Sequence, residues 1–163
     1  MKKLVLPLLI LIALIIATGA VSANNPQPDQ FTIIGNSTGY EYKILSNNRT
    51  TVFNASAAGE SDGYLEGSFT FAEWGQVDLN VENGAGSGKG TNTGLVTITR
   101  ENAPRSQAVI WYGGQLDAFA QKVRGSWYVV KGKGKWDDLK GHGNYTGSAG
   151  ADPFTVVFTG DFD

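Results

Sequence analysis

The chain has 163 residues, no cysteine, and 13 basic against 15 acidic side chains, a net charge of −2. A mildly acidic chain lacks the clustered Lys and Arg that give affinity for nucleic acid or for an anionic lipid surface. With no cysteine, burial and hydrogen bonding alone must hold the fold, and a cysteine-linked lipid anchor is excluded.

Met1, Lys2 and Lys3 precede an apolar run from Leu4 to Ala17, and small residues then lead to Val21-Ser22-Ala23. A basic start, an apolar stretch and a small-residue cleavage site predict a secretory signal peptide over 1–23. The run is short for a membrane span, which needs roughly 20 apolar residues. An anchor kept in place is the alternative to cleavage near Ala23. Cleavage removes two lysines and no acid, leaving 140 residues with 11 basic and 15 acidic side chains, a net charge of −4. That length suits one domain over 31–163 behind a polar leader, 24–30. The expected location is outside the cell membrane (extracellular, periplasmic or cell-surface), with no stable membrane insertion after cleavage.

From Phe31 onward, apolar spacing follows two rather than 3.6, and Gly interrupts almost every window. Short strands are expected at Phe31–Ile34, Tyr40–Leu45 and Thr50–Phe53. Gly63–Trp74 alternates, placing Leu65, Gly67, Phe69, Phe71 and Glu73 on one face, and Val77–Val81 follows. Thr93–Arg100 places Val96, Ile98 and Arg100 together. Gln107–Tyr112 pairs Val109 with Trp111, and Gly125–Lys131 pairs Trp127 with Val129. Gly143–Thr146 is brief, and Phe154–Phe162 aligns Phe154, Val156 and Phe158. Leu116–Val123 reads as a short helical segment or as the continuation of a hairpin. About eight strands joined by Gly, Asn, Asp and Ser turns predict an all-β, antiparallel closed barrel, because closure removes exposed edges. A β-sandwich is the alternative. Gly67, Gly113 and Gly114 are the expected sites of strand bending.

Few residues carry chemistry. Gly84–Thr91 has the look of a phosphate-binding loop, but Asn83 replaces its first Gly and a strand follows where a helix is required, so it reads as a flexible Gly/Ser loop. His142 is the sole histidine and reads as a surface turn residue, as do Asp137 and Asp138. One His and no Cys build neither a metal cluster nor a Ser–His–Asp set, so no metal or cofactor is expected. Strand parity sends Glu73 and Arg100 onto the apolar face. There they would pair, since an isolated buried charge is costly, and would orient a polar ligand group. Phe69, Phe71, Trp111, Trp127, Phe154 and Phe158 are the expected lumen lining. Asn36, Asn48, Asn54 and Asn144 begin Asn-x-Ser/Thr sequons and would accept glycans in a glycosylating host.

The passage from Val129 to Gly143, with Gly132, Gly134, Trp136, Leu139, Gly141 and Gly143, then Tyr145–Gly147 and Phe154–Phe162, resembles the closing strands of allene oxide cyclase-like and dirigent-like barrels and of related secreted proteins. Lys133 departs from the Thr often found between the first two glycines. The resemblance implies an eight-stranded barrel whose end is plugged by Trp136 and Leu139, with an apolar lumen and a homo-oligomeric assembly. It assigns no catalytic residue to this chain. The leading expectation is a binding protein that holds a small apolar or aromatic ligand. A filled, non-catalytic surface module and a cyclase- or dirigent-type enzyme are the alternatives.

Overall fold

The computed structural model describes residues 29–46, 50–82, 85–148 and 151–163. The expected signal segment and most of the leader therefore lie outside the described residues. Eight antiparallel strands close into a barrel in simple sequence order, β1 pairing with β8. They are β1 (Asp29–Ile44), β2 (Thr50–Gly63), β3 (Gly67–Glu82), β4 (Ala85–Thr99), β5 (Gln107–Asp117), β6 (Lys122–Lys133), β7 (Gly141–Ser148) and β8 (Phe154–Phe162). A single 3-10 turn, Gly134–Trp136, interrupts the β6–β7 connection.

Several expected strands are fused or extended. Phe31–Ile34 and Tyr40–Leu45, the latter as far as Ile44, belong to one strand, β1, which carries a bulge between Ser37 and Gly39. The extra residue reverses the facing beyond it, so Tyr40 turns toward the lumen that Ile33 and Ser37 also line. The expected strand Gly63–Trp74 starts later, because Gly63 ends β2 and residues 64–66 form the turn; its remainder joins Val77–Val81 as β3. β1 opens at Asp29, so the leader's last two residues pair with Gly160 and Thr159 of β8. Leu116–Val123 continues the β5–β6 hairpin, with Asp117 Oδ1 accepting from the Ala120 N–H at 2.9 Å to cap the turn. The expected Gly/Ser loop is strand from Ala85 onward, paired with β3.

One end of the barrel is packed solid. It gathers the β2–β3, β4–β5 and β6–β7 connections and both strand termini. Phe31 stacks on Phe158 at 4.5 Å, and Trp127 meets Phe31 edge-on at 5.7 Å. Trp127 Nε1 donates to the carbonyls of Asn144 and Thr159 at 3.1 and 3.3 Å, so its polar edge is satisfied where it is buried. Leu65, Ile98, Ala108 and Ile110 are fully buried, and Trp136 and Leu139 pack against this core as the end plug. Gly134 adopts φ +65°, a conformation that suits glycine, and Ser106 Oγ accepts from the next amide, Lys135, at 3.0 Å. The plug is thereby tied to the β4–β5 turn.

The other end is built differently. Strands β1 to β4 are longer than β5 to β8 and run past them. Among the described residues, β1 beyond Gly35 pairs with β2 alone, because β8 begins opposite that glycine. The wall is incomplete there, and the lumen opens through it.

Candidate functional site

The open end contains a cavity of about 320 Å³, inside the range of small-molecule sites, about 300–1,000 Å³. Its room comes from small inward side chains. β2 contributes Ala55 and Ala57, and the turns contribute Ala118 and Ala151. Its walls are apolar and aromatic: Ile33, Phe53, Phe71, Leu116, Val123, Phe154, Val156 and Phe158. Val77, Ser37, Tyr40, Ser56, Gln121 and Ser148 also line it.

Four polar side chains converge on it. Tyr112 Oη donates to Glu73 Oε2 at 2.6 Å, and Asn92 Nδ2 donates to the same oxygen at 3.2 Å. Tyr145 Oη donates to Asn92 Oδ1 at 3.0 Å. Tyr112, Asn92 and Tyr145 are buried and Glu73 is partly buried. Each proton in this relay points toward Glu73, and among the described residues no donor is bonded to Oε1.

The sheet register explains how the residues meet. Glu73, Gly94 and Tyr112 lie side by side on β3, β4 and β5. A Cβ on Gly94 would sit 2.6 Å from Tyr112 Oη, so only glycine lets the phenol cross β4 to the carboxylate. Asn92, Gly114, Gly125 and Tyr145 form a second such row across β4 to β7. A Cβ on Gly125 would stand 2.7 Å from the Tyr145 ring. Tyr145 therefore reaches back over two glycines to Asn92.

Burial pushes the Glu73 carboxyl above its ordinary value, opposed by the bonds from Tyr112 and Asn92. Burial also raises the Tyr112 phenol far above the usual tyrosine range, reinforced by the Glu73 charge and hydrogen bond. Tyr145 is raised by burial as well, against its bond to Asn92. The two phenols thus remain donors at ordinary pH, and Glu73 is the group of this set that titrates. Ionised, it offers Oε1 as an acceptor. Neutral, it carries its proton on Oε1, because Oε2 already accepts two bonds.

The expected site residues separate into groups. Glu73 and Phe71 line the cavity. Phe69 faces inward but is core, against Phe71 and Phe154. Trp127 faces inward in the packed end. Arg100 does not meet Glu73: β4 stops at Thr99, and Arg100 is exposed in the β4–β5 turn, its amide bonded to Ser106 O. An arginine one residue beyond the strand bends into solvent, where its charge is hydrated. Trp111 faces outward and stacks on Tyr128 at 5.1 Å, because the inward set of β5 is Ala108, Ile110, Tyr112 and Leu116. His142 is exposed on β7, facing outward, rather than in a turn. Asn36, Asn54 and Asn144 are exposed, and Asn48 lies outside the described residues.

Asn92, Tyr112 and Tyr145 carry the site and escaped the sequence reading. Extending the β5 window to Asp117 would have found Tyr112, since Gln107, Gln115 and Asp117 all fall on the opposite parity. Asn92 shares the parity of Val96 and Ile98, and an amide on an apolar face is itself a signal. No family model matches the chain, and neither curated proteins nor solved structures yield a significant match.

Proposed function

We propose that this protein is an exported binding barrel that encloses one small, largely apolar ligand in its open end and orients a polar group of that ligand against Glu73. The carrying observation is the cavity whose aromatic walls surround a single pre-bonded carboxylate. Aromatic and aliphatic walls supply burial, and a fixed polar group supplies orientation. The signal-like segment 1–23, the accessible sequons and the resemblance of the closing strands to secreted barrels support export. A filled surface module would need a lumen packed throughout, and this lumen is packed at one end only.

Native mass spectrometry of protein from its own host tests the reading, expecting a retained small-molecule mass on each chain. Ala55→Leu supplies the control. Ala55 pairs with Glu73 across β2 and β3, so a leucine there fills the space beside the carboxylate. It should abolish retention while changing stability by less than about 1.5 kcal/mol, since it enters open volume. Full retention by the Leu variant would sink the proposal.

The raised Glu73 carboxyl favours a second reading, an enzyme in which Glu73 gives or takes a proton at Oε1 while the cavity excludes water. In that case the retained mass would change on incubation with the protein, and Glu73→Gln would stop the change.

A further inference from the structure

We propose that the ligand is a small lipophilic cation, an ammonium group on an apolar body, with Glu73 as its counter-ion. The inference rests on the ligand-binding reading and names the class of molecule for the same cavity. Its basis is the charge inventory of the lining. Among the described residues that form the cavity, Glu73 is the one carboxylate, and no Lys, Arg or His accompanies it. The titratable groups that face it are Tyr112 from β5 and Tyr145 from β7, with Tyr40 from β1 near enough to feel its charge. None of these supplies a positive charge.

An anionic ligand would face the Glu73 carboxylate with only neutral donors in the lining, such as Ser37, Tyr40 and Gln121, to hold it. The hydroxyls of Tyr112 and Tyr145 and one amide hydrogen of Asn92 already donate within the relay. A neutral ligand would gain burial but would leave the carboxylate uncompensated. A cation meets every feature at once. Among the described residues, no donor occupies Oε1. Phe53, Phe71, Tyr112 and Phe154 present ring faces and edges around the site, and aromatic faces attract cations most strongly when both are withdrawn from water. The pair formed with Glu73 is neutral overall, which removes the penalty of an isolated buried charge. The carboxyl's raised proton affinity fits a group waiting for a positive partner: a cation entering against neutral Glu73 displaces its proton to solvent.

The test uses three probes of similar size: phenyltrimethylammonium, its neutral isostere tert-butylbenzene, and benzoate. The quaternary ammonium keeps its charge at every pH, so any pH dependence belongs to the protein. Wild-type protein should bind the cation at least about tenfold more tightly than the isostere, a ratio equivalent to about 1.4 kcal/mol. Benzoate should bind most weakly. Glu73→Gln keeps an acceptor for Tyr112 and Asn92 and should bring the cation-to-isostere ratio to about one. Acidifying the wild type should lower the same ratio as Glu73 takes up its proton, a measurement that needs no variant. Binding of the isostere without preference for the cation, or a preference that survives both Glu73→Gln and acidification, overturns this inference while leaving the ligand-binding reading standing. Binding of none of the three overturns both.

Discussion

The two ends of this barrel share one ladder of strands and differ in what the inward positions hold. At the packed end these are Phe31, Leu65, Ile98, Ile110, Trp127 and Phe158, all 2% exposed or less. At the open end they include Ala55, Ala57 and Gly94, with polar Glu73 and Asn92 among them. Small barrels can be filled by their own side chains or can hold a ligand. Here one end supplies stability without disulfides, which leaves the other free to carry a cavity and a partly buried acid that a packed core would not tolerate. The division predicts that substitutions at the packed end act on folding and that substitutions at the open end act on binding.

The largest effect should follow Trp127→Ala. Removing a fully buried indole that contacts Phe31, Phe158 and Phe162 should cost about 3–5 kcal/mol, read from urea denaturation. It also leaves the Asn144 and Thr159 carbonyls without the indole N–H. A cost below about 1 kcal/mol would show that this end does not carry the stability.

Gly94→Ala comes next and probes the boundary between the ends. The new methyl would stand 2.5 Å from the Ala72 carbonyl oxygen and 2.6 Å from Tyr112 Oη, so strand or phenol must move, at about 1–3 kcal/mol. If the phenol moves, Glu73 loses the stronger of two bonds that hold its carboxyl down. Carbon-detected NMR titration of that carboxyl should then show a higher pKa than in wild type. An unchanged titration would mean that the glycine does not serve the Tyr112 contact.

A smaller effect tests the open end through pH. Burial raises the folded-state pKa of Glu73 above that of the unfolded chain, so between the two values the folded protein holds a proton that the unfolded chain has released. The stabilising contribution is therefore complete below the ordinary glutamate value of about 4.3 and is lost as pH rises through the folded value. Within that window the slope approaches roughly 1.4 kcal/mol per pH unit for one proton. Glu73→Gln removes the titration, so the variant should gain on wild type in urea midpoint as pH rises. Parallel profiles for the two proteins would show that Glu73 is not held above its ordinary value.

How much of this was legible in the sequence depended on the length of the pattern. Closure into about eight antiparallel strands followed from alternation and turn residues, and the inward facing of Glu73, Phe69, Phe71, Val96 and Ile98 followed from parity. Parity failed where the local window was ambiguous or broken. Val109 to Tyr112 is apolar at every position, so either face could have been inward, and Trp111 and Tyr112 were exchanged. The bulge in β1 re-aims Tyr40 without any residue type announcing it. The Glu73–Tyr112 contact depends on three strands in register with a glycine between them, a long-range fact that no single strand encodes.

Trp111 gives the smallest expected effect and the sharpest contrast with Trp127. Both are tryptophans on adjacent strands, and the sequence reading sent both to the lumen. The structure places Trp111 on the outer wall, half-buried against Tyr128. A cross-strand aromatic pair of this kind contributes about 0.2–1 kcal/mol, so Trp111→Ala should lower stability by that amount and leave phenyltrimethylammonium affinity within about twofold of wild type, a difference under about 0.5 kcal/mol. The prediction isolates facing from residue type, because the same substitution sixteen positions later removes a packed core residue. A loss of binding in Trp111→Ala would place that side chain in the ligand's path and would require β5 to turn its other face inward.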